Sequence, residues 1–317
     1  MKAFFIKLGI FILPIVFISL PLDHFISKHA KQSNSCSGEL LVWNDIYSSM
    51  INTDIAIYGS SKAWVGIDPH IFEDSLNCTS YNFGIDGHNF WLQYLRHIEL
   101  LKFNKKPGYI ILNLDMFSLE KKKELYNLDQ FLPFMLFNKN IYTYTSSYEG
   151  FSYFDYHIPL VRFAGKRETM LNAIIGFLNI VSYSPMRKKG YKGMESVWNN
   201  DFEKAKSKYE KYEVEIDPDT EKLLNEFFSE CKEQNIKVIL VYSPEHVEFQ
   251  EFIKNRNEII SIYEEYSSKY NIPFLDYSDN FLCKEKHFFY NSTHLNKTGS
   301  EIFTSLLAKD LKAIIPS

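Results

Sequence analysis

Cysteine is scarce and scattered. Cys36, Cys78, Cys231 and Cys283 are spread over 317 residues with no C-x-x-C pair. That spacing excludes a zinc finger and a dithiol redox motif, and leaves disulfides or buried thiols open. Charge of one sign is missing as well. The net charge is −4 and no Lys/Arg stripe is sustained, so nothing gathers nucleic acid. There is no H-E-x-x-H, no glycine-rich phosphate loop and no group of histidines at ligand spacing. No metal and no cofactor is expected. Internal repeats and low-complexity tracts are also lacking. What is present is a core-forming composition, 45% apolar and 23% charged, with an unusually high aromatic share of 16%. The length suits one large domain or two small ones.

The longest apolar run lies at the start. Lys2 and Lys7 precede an uncharged stretch from Leu8 to Leu22, which ends at Asp23. With Ala3 to Ile6 it offers about 20 residues, near what a helix needs to cross ~30 Å of hydrocarbon. A cleavable signal peptide is the rival, but the run leaves through Ser19-Leu-Pro-Leu-Asp-His-Phe25 rather than an A-x-A-like site. An uncleaved anchor is favoured. The leading lysines put the amino terminus in the cytoplasm and the rest of the chain outside, facing periplasm or exterior. Pro14 is tolerable in a membrane helix. The expected division is an anchor over 1–23, a tether over 24–50, and a domain over 51–317 with an insertion at 120–215.

Strand and helix signals alternate through the domain. Asp54 to Tyr58, Thr79 to Phe83, Tyr109 to Leu112, Ile236 to Tyr242 and Pro273 to Leu275 read as strands. Asp68-Pro69 and Asp217-Pro218 each offer an N-cap followed by proline at the first helical position. Further helices are expected over 89–104 and 247–269, with Thr298-Gly-Ser-Glu301 as a capping box for the last one. The pattern predicts an α/β fold, a doubly wound parallel sheet covered on both faces. The insertion breaks the rhythm with eleven aromatics between Tyr126 and Tyr156. Core filling is the plain reading of any one of them. Tyr142, Tyr144, Tyr148 and Tyr153 are the candidates for a wall that stacks on sugar rings.

In such a sheet, sites lie at the carboxyl ends of strands, near the switch in strand order. Ser60 and Ser61 follow the first strand immediately after Gly59. A serine on that turn presents its oxygen above the sheet edge, with backbone N–H groups placed for an oxyanion. A serine needs a base, and His294 stands in a loop just before the last helix. Taken singly, a Gly-Ser turn and a helix-capping histidine explain both.

Taken together they resemble the SGNH/GDSL hydrolase superfamily, whose fold is flavodoxin-like with three layers. The nearer likeness is to its membrane-anchored envelope branch, with the D-alanyl transfer and exopolysaccharide acetylation proteins. The stretches that carry it are Ile57-Tyr-Gly-Ser-Ser-Lys-Ala-Trp-Val-Gly-Ile-Asp-Pro69, Tyr81-Asn-Phe-Gly-Ile-Asp-Gly-His-Asn89 and Phe289-Tyr-Asn-Ser-Thr-His-Leu-Asn-Lys-Thr-Gly299. They cover about residues 54–119 and 236–313; the insertion has no counterpart. The resemblance implies Ser61 as nucleophile, His294 as base, and the N–H groups of Ser61 and Gly84 as oxyanion donors. The family's third donor, an asparagine, falls on Asn113 or is displaced by Asp115. Where the family places Asp three residues before the histidine, this chain has Asn291, which can accept from the imidazole but brings no charge. Asp276, Asp279 and Asp115 are the carboxylates that could replace it. The implied activity is that of a serine esterase or O-acyltransferase acting on acyl groups, foremost O-acetyl, of a cell-envelope polysaccharide. The implied partners are the membrane, the glycan and a membrane-bound O-acyltransferase. An inactive scaffold on the same fold is the alternative.

Overall fold

The computed structural model describes residues 1–32, 38–87, 90–180 and 187–315, so Cys36 and His88 lie outside it. The chain forms two compact units, one of residues 1–44 with 123–186, the other of 45–122 with 187–317. The strands are β1 (Ile55–Gly59), β2 (Ser80–Asn82), β3 (Tyr109–Leu114), β4 (Lys237–Tyr242) and β5 (Phe274–Asp276). Before residue 120 the helices are α1 (Lys2–Gln32), α2 (Gly38–Tyr47), α3 (Ser61–Gly66), α4 (Pro69–Leu76) and α5 (Phe90–Phe103). After it come α6 (Lys139–Thr145), α7 (Tyr153–His157), α8 (Arg167–Phe177), α9 (Asp201–Lys208) and α10 (Pro218–Glu233). The last three are α11 (Val247–Phe252), α12 (Arg256–Tyr270) and α13 (Lys297–Leu311).

The second unit carries the sheet. Its strands stand in the order β2-β1-β3-β4-β5 and every neighbouring pair is parallel. This is the doubly wound α/β order of flavodoxin-like folds, with the switch at β1/β3. Strand side chains alternate between two cores. Ile55, Ile57, Ile111, Ile239 and Val241 pack on Ala63 of α3, Phe72 of α4 and Phe303 and Leu307 of α13. On the other face Tyr58 meets His97 of α5 and Phe227 of α10, and Phe90 of α5 joins this ring cluster through Phe227. Both proline-initiated helices form as expected: Asp68 accepts from His70 N–H at 2.9 Å, and Asp217 from Thr220 N–H at 2.9 Å.

Three expectations need correction here. The helix expected over 247–269 is two, because the chain at 212–214 lies against the gap. Tyr212 N–H donates to Phe252, Lys254 N–H to Tyr212, and the Asn255 side chain pairs with both backbone groups of Val214. The last helix is capped by Asn296, whose Oδ1 accepts from Gly299 N–H at 3.0 Å, rather than by Thr298. The 24–50 segment is largely helical, since α1 runs to Gln32 and α2 spans Gly38–Tyr47.

In the first unit, α1 changes character along its length. Its apolar side chains from Phe4 to Leu22 are largely exposed, whereas Asp23, Ile26, Ser27 and Ala30 are buried. Residues 4–31 form one helix long and apolar enough to cross a membrane. The insertion aromatics divide between this unit's interior and its surface, where Tyr126, Phe137, Tyr153 and Phe154 are exposed. Phe131, Tyr148 and Tyr156 are buried, Trp43 Nε1 donates to Gln130, and Tyr142 packs edge-on against Tyr156 at 5.1 Å. Tyr148 is therefore core, while Tyr153 is exposed and stacks on His157 at 4.1 Å.

Candidate active site

β1 ends in a conformation that demands glycine. Gly59 has φ +143, and a Cβ there would lie 2.6 Å from the Asn113 carbonyl oxygen of β3. The chain then turns at Ser60, which caps α3 by accepting from Lys62 N–H at 3.2 Å, and Ser61 opens the helix. Its N–H is thus a first-turn donor with no acceptor inside the helix. Ser61 lands at the carboxyl end of β1, beside the switch point.

The histidine arrives from far along the chain. A bridge between Phe289 and Leu295, both buried, closes a tight loop that carries residues 290–294. Within it Asn291 Oδ1 accepts from the backbone N–H of Thr293 at 3.0 Å and of His294 at 2.9 Å, so the loop is built around that one amide oxygen. Tyr290 stacks on the imidazole at 5.3 Å.

Ser61 Oγ lies 2.7 Å from His294 Nε2, across 233 positions of sequence. His294 Nδ1 lies 2.9 Å from Asn291 Oδ1 and 2.8 Å from Thr293 Oγ1. A proton on Nδ1 satisfies this arrangement and leaves Nε2 free to accept from the serine. Burial, helped by the Lys62 ammonium, holds the imidazole's pKa down to about 3. The ring is thus neutral, and competent as a base, at any ordinary pH.

The other residues are placed less as expected. Asp276 accepts from Ser278 N–H in its own turn, and neither it nor Asp279 bonds the imidazole. Asp115 bonds Ser60 instead of His294: the Ser60 hydroxyl donates to its Oδ2, and Phe117 N–H to its Oδ1 at 2.8 Å. Of the candidates named from the sequence, it is Asn291 that reaches His294 Nδ1. Gly84 is no oxyanion donor, because it is buried and its N–H donates to Asn82 Oδ1 at 2.9 Å. Its role is packing, since a Cβ there would lie 2.5 Å from Trp64 N. Among the described residues of that loop, Gly87 lines the cleft. Asn113 is buried with both amide atoms unpartnered, away from the cleft, and it is Asp115 that lines it.

Two further charges went unnoticed in the sequence. Lys62 and Glu245 form a buried ion pair at 2.8 Å, both lining the cleft, and Tyr242 donates to the same carboxylate at 2.5 Å. Only the position of Lys62 next to Ser61 could have pointed to it. Glu245, Asp115 and Gly87 follow β4, β3 and β2, so the cleft gathers the carboxyl ends of four parallel strands.

No family model matches the chain, and no curated protein does. Among solved structures, a GDSL-like lipase from Bacteroides thetaiotaomicron is similar at 13% identity and TM-score 0.41, covering 87% of this chain and 100% of that one. A G-D-S-L family protein from Desulfitobacterium hafniense is similar at 13% identity and TM-score 0.39, covering 81% and 99%. A proposed acylhydrolase from Bacteroides fragilis follows at 14% and TM-score 0.36, covering 82% and 86%.

Proposed function

We propose that this chain is a membrane-anchored serine esterase or O-acyltransferase of the SGNH type, with Ser61 as nucleophile, His294 as base and Asn291 as the group that orients the base. The observation that carries it is the 2.7 Å approach of Ser61 Oγ to a neutral, buried imidazole nitrogen. Ser61 Oγ attacks the acyl carbonyl carbon while its proton passes to His294 Nε2. The resulting oxyanion faces the Ser61 N–H and the Gly87 turn. Collapse of that intermediate expels the alcohol, which takes the proton from Nε2. Water or a sugar hydroxyl then attacks the acyl-enzyme by the same route in reverse. The cleft, at about 190 Å³, is smaller than the ~300–1,000 Å³ sites that engulf a whole ligand. That size suits a short acyl group, such as acetyl, with the rest of the substrate outside. The envelope polysaccharide, the outward orientation and a membrane-bound O-acyltransferase partner rest on the sequence resemblance and on the apolar α1.

The second reading, an inactive scaffold, draws on two observations: Asn291 adds no negative charge, and Asp115 puts a carboxylate where the family has a donor. A fluorophosphonate probe separates them. The enzyme reading expects covalent labelling of the full-length protein, lost in Ser61→Ala and in His294→Ala. An unlabelled but folded wild type leaves the scaffold.

A further inference from the structure

In α8 the usual burial pattern of a surface helix is inverted. The face turned inward is small: Thr169, Ala173 and Gly176, at helical spacing, are its buried residues. The face turned outward is large and apolar: Leu171, Ile174, Phe177 and Leu178, followed by Ile180, are each 53–57% exposed. A helix in water keeps its large apolar groups inside, whereas a helix in lipid can turn them out and pack through small residues. α8 lies along α1, with which it shares its principal packing within this unit. Thr169 and Asn172 share a groove with Ala30, and Phe177 reaches Phe25 at 5.1 Å. α8 therefore runs back along α1 toward that helix's exposed apolar half.

At its far end Leu178 N–H donates to Ile174, Ile180 N–H to Ile175 and Asn179 N–H to Gly176, with Asn179 at φ 49, so those three carbonyls are met by the chain's own backbone. Hydrocarbon requires this of any helix end placed in it. The other end is polar, beginning with Lys166, Arg167 and Glu168.

We infer that α8 is a second membrane-contacting element: it rests its Leu171–Ile174–Phe177–Leu178 face in the lipid beside α1, with its amino end in the headgroups. The inference rests on α1 being a membrane anchor and is independent of the Ser61 chemistry. The test uses the full-length protein in nanodiscs of phosphatidylcholine and phosphatidylglycerol. Spin labels are placed by Ile174→Cys, Phe177→Cys, Glu168→Cys and, on the anchor, Ile10→Cys, with the native thiols' signal subtracted. Collision with oxygen should exceed collision with a water-soluble nickel chelate at 174 and 177, as at 10, and the order should invert at 168. Chelate access at 174 and 177 with lipid access at 10 would overturn the inference alone. Positions 174 and 177 closed to both reagents would overturn it in favour of a protein cover. Chelate access at 10 would sink the anchor and this inference together.

Discussion

In the first unit the Asp23 carboxylate takes two nitrogens of Arg162, at 2.6 and 2.7 Å, whereas in the second Glu245 takes a single ammonium, that of Lys62, at 2.8 Å. All four side chains are buried, though Lys62 and Glu245 also line the cleft. The surroundings differ. Arg162 also donates to the Leu132 carbonyl and to Ser27, and Asp23 accepts from Leu160 N–H, so fork and carboxylate are saturated and their geometry is fixed. Lys62 otherwise has only a long contact of 3.4 Å to the Ser243 carbonyl and a place over the Tyr242 ring at 5.0 Å, and it stands near His294. One pair clamps the point where the apolar helix becomes part of a folded unit. The other lies beside the Ser61–His294 pair, where its ammonium helps hold down the imidazole's pKa. A buried ion pair is costly to assemble, so each is best explained by what it fixes rather than by net stability.

The largest effect should come from breaking the clamp. Arg162→Met strands the Asp23 charge and should cost roughly 3–5 kcal/mol, lowering the unfolding temperature of the protein in nanodiscs. Below that transition, fluorophosphonate labelling of Ser61 should persist. Asp23→Leu with Arg162→Met should recover most of the loss, because no unpaired charge remains. An unchanged transition in the single variant would show that water reaches the pair.

Elements with local causes were legible beforehand. The Asp68-Pro69 and Asp217-Pro218 starts and the β-branched runs of β1, β3 and β4 carry their signal within a few residues, whereas Ser61 and His294 stood out only when read together. What was not legible depends on partners distant in sequence. The break between α11 and α12 needs Tyr212 and Val214, over 40 positions earlier. Gly84 and Gly87 are both turn glycines in sequence, and only Asn82's claim on the Gly84 N–H separates them. The pair of Lys62 and Glu245 spans 183 positions. Apart from the place of Lys62 next to Ser61, neither ion pair left a mark in the sequence, because a single charged residue reads as surface until its partner is known.

The next largest effect belongs to the orienting group. Asn291→Asp should raise kcat/KM toward a small acetyl ester by at least about tenfold, well short of the ~10⁴ that the reverse change costs in a trypsin-type triad. The added charge stabilises the imidazolium that forms as Ser61 attacks. A rate equal to that of wild type would mean that the imidazolium is already balanced by another group.

The field of Lys62 should appear in the pH profile. With His294 held down to about 3, kcat/KM should stay flat as pH falls from 8 to 5. Lys62→Met with Glu245→Gln removes the smaller of the two depressing causes. The acid limb should then move up toward the ordinary 6.5 without reaching it, since burial remains. The stability linkage has a definite sign: the unfolded chain protonates this histidine near 6.5 and the folded one near 3. Its contribution is full above 6.5 and is lost as pH falls toward 3. An acid limb that does not move would confine Lys62 to a structural role like that of Arg162.

The smallest effect should come from the imidazole's second neighbour. His294 Nδ1 has one proton and two oxygens in reach, Asn291 Oδ1 at 2.9 Å and Thr293 Oγ1 at 2.8 Å. The Thr293 hydroxyl can itself donate to Asn291 Oδ1, 3.2 Å away, so it can serve the amide oxygen without taking the ring's proton. Asn291 Oδ1 also holds two backbone N–H groups of the loop, which fixes it in place before the ring turns toward it. Position and preorganisation both make the amide the orienting group. Thr293→Val keeps the shape and removes only the hydroxyl, which should cost no more than about 1 kcal/mol, or roughly fivefold in kcat/KM. Asn291→Leu removes the acceptor and frees the loop, so its loss should be clearly larger. If the two losses came out reversed, Thr293 would be the residue that holds His294 toward Ser61, and the Asn291→Asp gain should vanish with it.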